Sequence, residues 1–109
     1  MDSWKQLTDV LIKFRDERDW AQFHNAKDLA LALSIEAAEL NELFLWKKPE
    51  EANLEKIKEE FADVLGYVLL FAEKYNFDIN EIMMDKIKKN NEKYPVSKAK
   101  GTAKKYDEL

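Results

Sequence analysis

The chain has 109 residues, 46% of them apolar and 37% charged, with two Gly, two Pro, no Cys and a formal charge of −4. The acidic balance argues against a general nucleic-acid binder, which carries a basic face. Without cysteine there is no disulfide, thiolate nucleophile or thiolate metal site. Sparse Gly and Pro beside abundant Leu, Ala, Glu and Lys point to long helices joined by short loops, in one domain spanning 1–109.

The first helix is predicted from about Ser3 to Trp20, with Ser3 and Gln6 spaced as a capping box and Trp4, Leu7, Val10, Leu11 and Phe14 as its stripe. The segment AQFHNAK is a connection, and Asn25 or Asp28 caps a second helix that runs to about Trp46. Lys47-Lys48-Pro49 ends it: the cations suit a last turn, and proline disfavours helix at the residue before it. Asn53 caps a third helix reaching about Tyr75, and Asp78 with Glu81 forms a capping-box pattern for a fourth that stops before Pro95. The remainder, 95–109, is a lysine-rich tail with few apolar residues, as in a disordered end. The amino terminus has no signal-peptide apolar region, and no apolar run approaches the ~20 residues that span a bilayer, so the expected compartment is the cytoplasm.

A heptad step returns a helix to nearly the same face, drifting by only about 20°. Leu29, Glu36 and Leu43 therefore share one line of the second helix, and Ala32, Glu39 and Trp46 the adjacent one. Both glutamates interrupt an apolar stripe. On the third helix the inward stripe is expected to be Ile57, Phe61, Val64, Val68 and Phe71, with Glu60 beside it on the line through Tyr67 and Asp63 at its edge. Each helix thus turns an acidic i, i+3 pair toward the interior side. Such spacings arise readily on solvated faces in a chain rich in glutamate; two in core register on neighbouring helices are harder to explain that way. Carboxylates gathered in a bundle repel and desolvate one another. A hard divalent ion relieves both costs, and oxygen ligands without His or Cys suit Mg²⁺, or Mn²⁺ as a substitute, rather than zinc.

Glu36/Glu39 followed by Glu60/Asp63 within KEEFADVL resembles the metal motif of the MazG-like, all-α NTP pyrophosphohydrolases. FRDERDWAQFH, LALALSIEAAELNELFLW, KEEFADVLGYVLLFA, NNEKYP and KGTAKKY are similar, in order, to the dCTP pyrophosphatase-like branch. The resemblance implies a four-helix bundle that assembles as a homodimer or a dimer of dimers, and hydrolysis of a nucleoside triphosphate to monophosphate and pyrophosphate. dCTP-like or non-standard dNTPs are the implied substrates, in a housecleaning role. It further implies that Glu36, Glu39, Glu60 and Asp63 hold Mg²⁺ and form the catalytic set. Trp20, Trp46 and Tyr67 match positions around base and sugar. Lys86 and Asn90 match contacts to phosphate or sugar, and Lys93 stands where relatives often carry Arg. Lys98, Lys104, Lys105 and Tyr106 match a terminal segment that closes over the site, so ordering on binding is expected there. Leu11 occupies a position where dCTP-selective relatives carry histidine, which implies looser selectivity for cytosine. His24 reads as a structural residue held by loop hydrogen bonds.

The alternative reading is a non-catalytic helical interaction module that binds a protein partner; it predicts no dependence of stability on divalent metal. A di-iron carboxylate bundle wants two Glu-x-x-His pairs, and the single histidine lies outside the predicted helices.

Overall fold

The structure, a computed structural model, describes residues 3–109. It is built of helices α1 (Ser3–Glu17), α2 (Ala26–Glu42), α3 (Leu54–Lys74), α4 (Ile79–Lys93) and the short α5 (Val96–Ala99), with no strand among the described residues. The chain divides into two compact units, Met1–Phe77 and Asp78–Leu109.

In the first unit the helix starts are set by asparagine caps. The Asn25 side-chain oxygen accepts from the Asp28 backbone N–H at 2.8 Å, while its amide donates to the Asp28 carboxylate at 2.7 Å. Asn53 caps α3 in the same way, accepting from the Lys56 N–H at 3.1 Å. Such caps satisfy one of the amides that a helix start leaves unpaired, and each is worth about 1 kcal/mol. Ser3 already lies inside α1 rather than preceding it.

Helices α1 and α3 close with the same stop. At the end of α1, Asp19 adopts a left-handed φ of 55°, and the Trp20 and Asp19 amides donate back to the carbonyls of Arg15 and Asp16. At the end of α3, Asn76 has φ 54°, and the Phe77 and Asn76 amides donate to Ala72 and Glu73. Both are Schellman stops that use Asp or Asn, which tolerate this conformation, in place of glycine. The first helix therefore ends at Glu17, short of the Trp20 expected from sequence. The second also stops early, at Glu42: the amides of Leu43, Phe44 and Leu45 donate to the carbonyls three residues back. This tighter winding takes Trp46 off the line through Ala32 and Glu39.

Helix α3 packs against both α2 and α1. The buried core comprises Leu29, Leu69, Leu70 and Ala72. Burying a leucine contributes roughly 1.5–3 kcal/mol, so this small set is a thin core. Arg15 on α1 reaches Glu73 on α3 at 3.4 Å as well as its neighbour Asp16 at 2.9 Å.

Two apolar stripes are corrected by this packing. On α1, Trp4 and Leu11 are half-buried as expected, together with Thr8, Ile12 and Arg15, while Leu7, Val10 and Phe14 are exposed. On α3, Ile57, Val64 and Phe71 are half-buried as expected, but Phe61 and Val68 are exposed and Glu60 and Tyr67 are half-buried. Each helix carries more apolar residues than its neighbours in this chain can cover. Leu54, Phe61, Val68 and Tyr75, at heptad spacing, make up an uncovered row along α3.

The second unit begins with Asp78, whose side chain accepts from the Glu81 N–H at 3.1 Å and caps α4. Beyond Pro95 the tail holds α5 and a final 3₁₀ turn, Tyr106–Glu108. Tyr106 meets Tyr94 edge-on at 6.2 Å, and the Lys93 ammonium lies 5.0 Å from the Tyr106 ring. These contacts give the tail local structure, in place of the disordered end expected from its composition.

Candidate active site

Helix periodicity places Glu36 and Glu39 one turn apart on α2, and Glu60 and Asp63 one turn apart on α3. Packing of these helices brings one carboxylate oxygen each from Glu36, Glu60 and Asp63 within 4.8 Å of one another. Glu36 and Glu60 are half-buried, and the Oε2 atom of each is buried without a hydrogen-bond partner. Burial, reinforced by Glu39, Asp63 and Glu60, pushes the Glu36 carboxyl up to about 7. Burial, with the charge of Glu39 next, also raises Glu60. Glu39 is thus the fourth member electrostatically, although it stands outside the closest cluster of three. Unpartnered oxygens, like charge and an all-oxygen donor set fit a hard cation: Glu36, Glu60 and Asp63 could hold a metal ion.

Beside the cluster lies a cavity of about 240 Å³ in the same unit, with Asp63 in its wall. Leu11, Phe14 and Trp20 line it from α1 and the turn that follows; Ala62, Gly66, Tyr67 and Leu70 line it from α3. The Phe14 and Trp20 rings meet edge to face at 5.7 Å, and the Arg18 guanidinium sits 3.7 Å over Phe14. Gly66 is out of place by propensity, since a mid-helix glycine costs about 1 kcal/mol relative to alanine. A Cβ there would approach only the Leu11 side chain, at 3.9 Å, so packing of the backbone does not demand glycine; its effect is to leave the wall open. Burial, and then the charges of Glu36 and Asp63, raise the Tyr67 phenol, which stays protonated as a donor at neutral pH.

His24 also lines this cavity. Its backbone N–H donates to Ala21, but the side-chain Nδ1 is buried and has no partner. The loop hydrogen bonds expected to explain this histidine are therefore not made by Nδ1. Sequence reading took His24 as structural and passed over Gly66; the available signals for the cavity were a histidine four residues past Trp20 and a glycine inside an apolar helix.

The remaining sequence-predicted residues fall in two groups. Trp46 is not part of the cavity wall: it is 94% exposed, on a left-handed φ of 61° that a bulky residue rarely adopts. Lys86, Asn90, Lys93, Lys104 and Tyr106 belong to the second unit, where Lys86 and Asn90 lie one turn apart on α4 and Lys93 meets Tyr106. Among the described residues, no helix is long and apolar enough to cross a membrane.

Comparison with known proteins supplies the family. The MazG-like family matches residues 31–109. Two curated relatives are dCTP pyrophosphatase 1 of Mus musculus, 37% identical, and of Homo sapiens, 36% identical, each over 105 residues and 89% of this chain. The chain spans 62% of the length of these relatives. A solved pyrophosphatase from Archaeoglobus fulgidus superposes with a TM-score of 0.81 at 36% identity, covering 87% of this chain and 94% of its own. A family match over most of the sequence, joined to a solved relative of the same helical architecture, establishes that this chain belongs to the MazG-like family.

Proposed function

We propose that this protein hydrolyses nucleoside triphosphates to monophosphate and pyrophosphate, acting on dCTP-like or non-standard dNTPs. The observation that carries the reading is the juxtaposition of the Glu36–Glu60–Asp63 cluster with an aromatic-walled cavity that shares Asp63. Triphosphate and base have adjacent places of opposite character there. The names of the relatives, pyrophosphatases of which two act on dCTP, support the same chemistry.

In this reading Glu36, Glu39, Glu60 and Asp63 hold Mg²⁺, with Mn²⁺ as a substitute. The bound ion supplies neutralisation of phosphate charge and a water of lowered pKa. The protein's own contribution is orientation and exclusion of water. Trp20 offers a face or edge to the base, Tyr67 donates its phenolic proton toward the sugar or phosphate, and Leu11, Ala62 and Gly66 set the room available. Trp46, exposed on a strained turn, stacks on substrate. Lys86, Asn90, Lys93, Lys104 and Tyr106 contact phosphate or sugar, and the basic tail 95–109 completes a single functional domain. Lysine gives point charge at these positions without the bidentate geometry of arginine.

The working form is a homodimer or homotetramer in the cytoplasm, with no nucleic-acid or membrane partner. The uncovered row Leu54, Phe61, Val68 and Tyr75 supports a second copy of this chain as its cover, because a monomer of this size has little core to spare.

The test is one panel of dNTPs, NTPs and modified dCTPs with Mg²⁺, with the products separated. Pyrophosphate release from at least one triphosphate is expected, with nearly all of it lost in Glu39→Gln and Asp63→Asn. Release of inorganic phosphate instead, or near wild-type turnover in both variants, refutes the reading. Unchanged thermal stability on adding Mg²⁺ would favour the interaction module.

A further inference from the structure

We infer that Gly66 sets the upper size limit on the base, leaving room in the Trp20–Tyr67 cavity for a purine, so that purine dNTPs are substrates alongside pyrimidine ones. The inference rests on the pyrophosphohydrolase reading and deepens it by naming a substrate class and the position that admits it. Gly66 is one of two glycines in the chain. The other, Gly101, has a left-handed φ of 81°, a conformation that favours glycine. Gly66 has no such need: it lies inside α3, where glycine weakens a helix relative to alanine. Packing does not call for it either. Among the described residues a Cβ at this position would approach only Leu11 Cδ2, at 3.9 Å, an ordinary van der Waals distance. A glycine that neither the backbone nor the packing requires still has one use, the close approach of a ligand to the main chain.

The cavity is where that use applies. Gly66 and Leu11 both line it, from α3 and α1, so a side chain at 66 would reach toward Leu11 and narrow the space between the two helices. Much of the remaining wall is large side chains, among them Phe14, Trp20 and Leu70. Apolar walls of this kind take either class of base, because every base has an apolar face. The choice between a pyrimidine and a purine then falls to the room available. An apolar cavity of about 150 Å³ holds a single benzene ring. This one measures about 240 Å³, and the surplus suits the second, fused ring of a purine. Even one methyl group in that space should be felt, since a single methylene in a hydrophobic pocket changes kcat/KM by about tenfold or more.

The experiment measures kcat/KM for the four dNTPs, and the Tm, of wild type, Gly66→Ala, Gly66→Val, Leu11→Ala and the Gly66→Ala/Leu11→Ala double variant. Wild type is expected to release pyrophosphate from dATP and dGTP as well as from pyrimidine dNTPs. In Gly66→Ala the purine-to-pyrimidine ratio of kcat/KM should fall by about tenfold or more, and in Gly66→Val further. The double variant should recover part of the ratio, because it withdraws the side chain that the new methyl group touches. That coupling between positions 11 and 66 separates a steric limit from general damage. Gly66→Ala should also melt roughly 4–8 °C higher than wild type, because alanine is the better helix former and its Cβ clashes with nothing. A more stable enzyme that has lost purines alone is the expected result. An unchanged ratio in both Gly66 variants, equal losses on all four dNTPs, no recovery in the double variant, a lower Tm for Gly66→Ala, or a wild type that hydrolyses only pyrimidine dNTPs would each overturn the inference while leaving the hydrolase reading intact. No pyrophosphate from any triphosphate with wild type overturns the hydrolase reading and this inference together.

Discussion

Replacing Glu36 by glutamine should raise the stability of the metal-free protein, and should do so increasingly as pH rises. Glu36 titrates at about 7 in the folded chain against an ordinary 4.5. Between those values the folded state binds more protons than the unfolded one. The contribution of Glu36 is therefore full below about 4.5 and is lost as pH rises through about 7. Glu60, raised in the same direction, adds to the slope. Above neutrality the Glu36 carboxylate faces that of Asp63 within 4.8 Å. At that separation two unit charges repel by about 3.5 kcal/mol at an effective dielectric of ~20 and by about 1 kcal/mol in bulk water. The site is partly open to solvent, so the low end applies, about 1 kcal/mol. For a chain of this length that corresponds to a Tm higher by roughly 4–8 °C. Differential scanning calorimetry of wild type and Glu36→Gln in EDTA, from pH 5 to pH 8, should show little difference at pH 5 and the full difference at pH 8. Millimolar Mg²⁺ should then raise the wild-type Tm at pH 8 by mass action and the variant's by less. A difference independent of pH, a less stable variant at pH 8, or an equal Mg²⁺ effect on both proteins would refute the electrostatic account of the cluster.

Phe61→Asp, in the uncovered row of α3, should dissociate the oligomer without unfolding α3, since Phe61 is 61% exposed within one chain; light scattering at micromolar concentration checks it, and a monomeric wild type would contradict it. Asn53→Ala should lower stability by about 1 kcal/mol through loss of the α3 cap, read by urea denaturation, whereas substitution of the uncapped Lys48 should be nearly neutral. Trp46→Ala should raise KM for every accepted triphosphate and leave the Tm unchanged, because the side chain covers nothing in this chain and alanine keeps the Cβ that strains a left-handed φ; a lower Tm would show that it packs.

Much of the helix order and its caps was legible in the sequence because these are local. Asn25, Asn53 and Asp78 announce helix starts through hydrogen bonds to residues three positions on. The pairing of Glu36/Glu39 with Glu60/Asp63 was also legible, because a fixed helical period turns spacing into a shared face. The ends of helices were less so. Asp19 and Asn76 stop α1 and α3 by entering a left-handed conformation that neither residue requires, and Trp46 does the same after α2 against its own preference.

Which of two apolar rows on α1 and α3 would face the neighbouring helix was not determined by periodicity at all. Leu7 and Leu11, or Phe61 and Val64, are equally apolar; only the docking of α3 between α1 and α2 buried one row more than the other. The same docking decided the site. It assembled three carboxylates from two helices, left two of their oxygens without partners, and opened beside them a cavity floored by Gly66 and Ala62. It also placed the one histidine in the wall of the same cavity as Gly66, with its Nδ1 buried and without a partner. Burial and proximity between residues far apart in sequence are collective properties of packed helices, and a local pattern of residue types does not contain them.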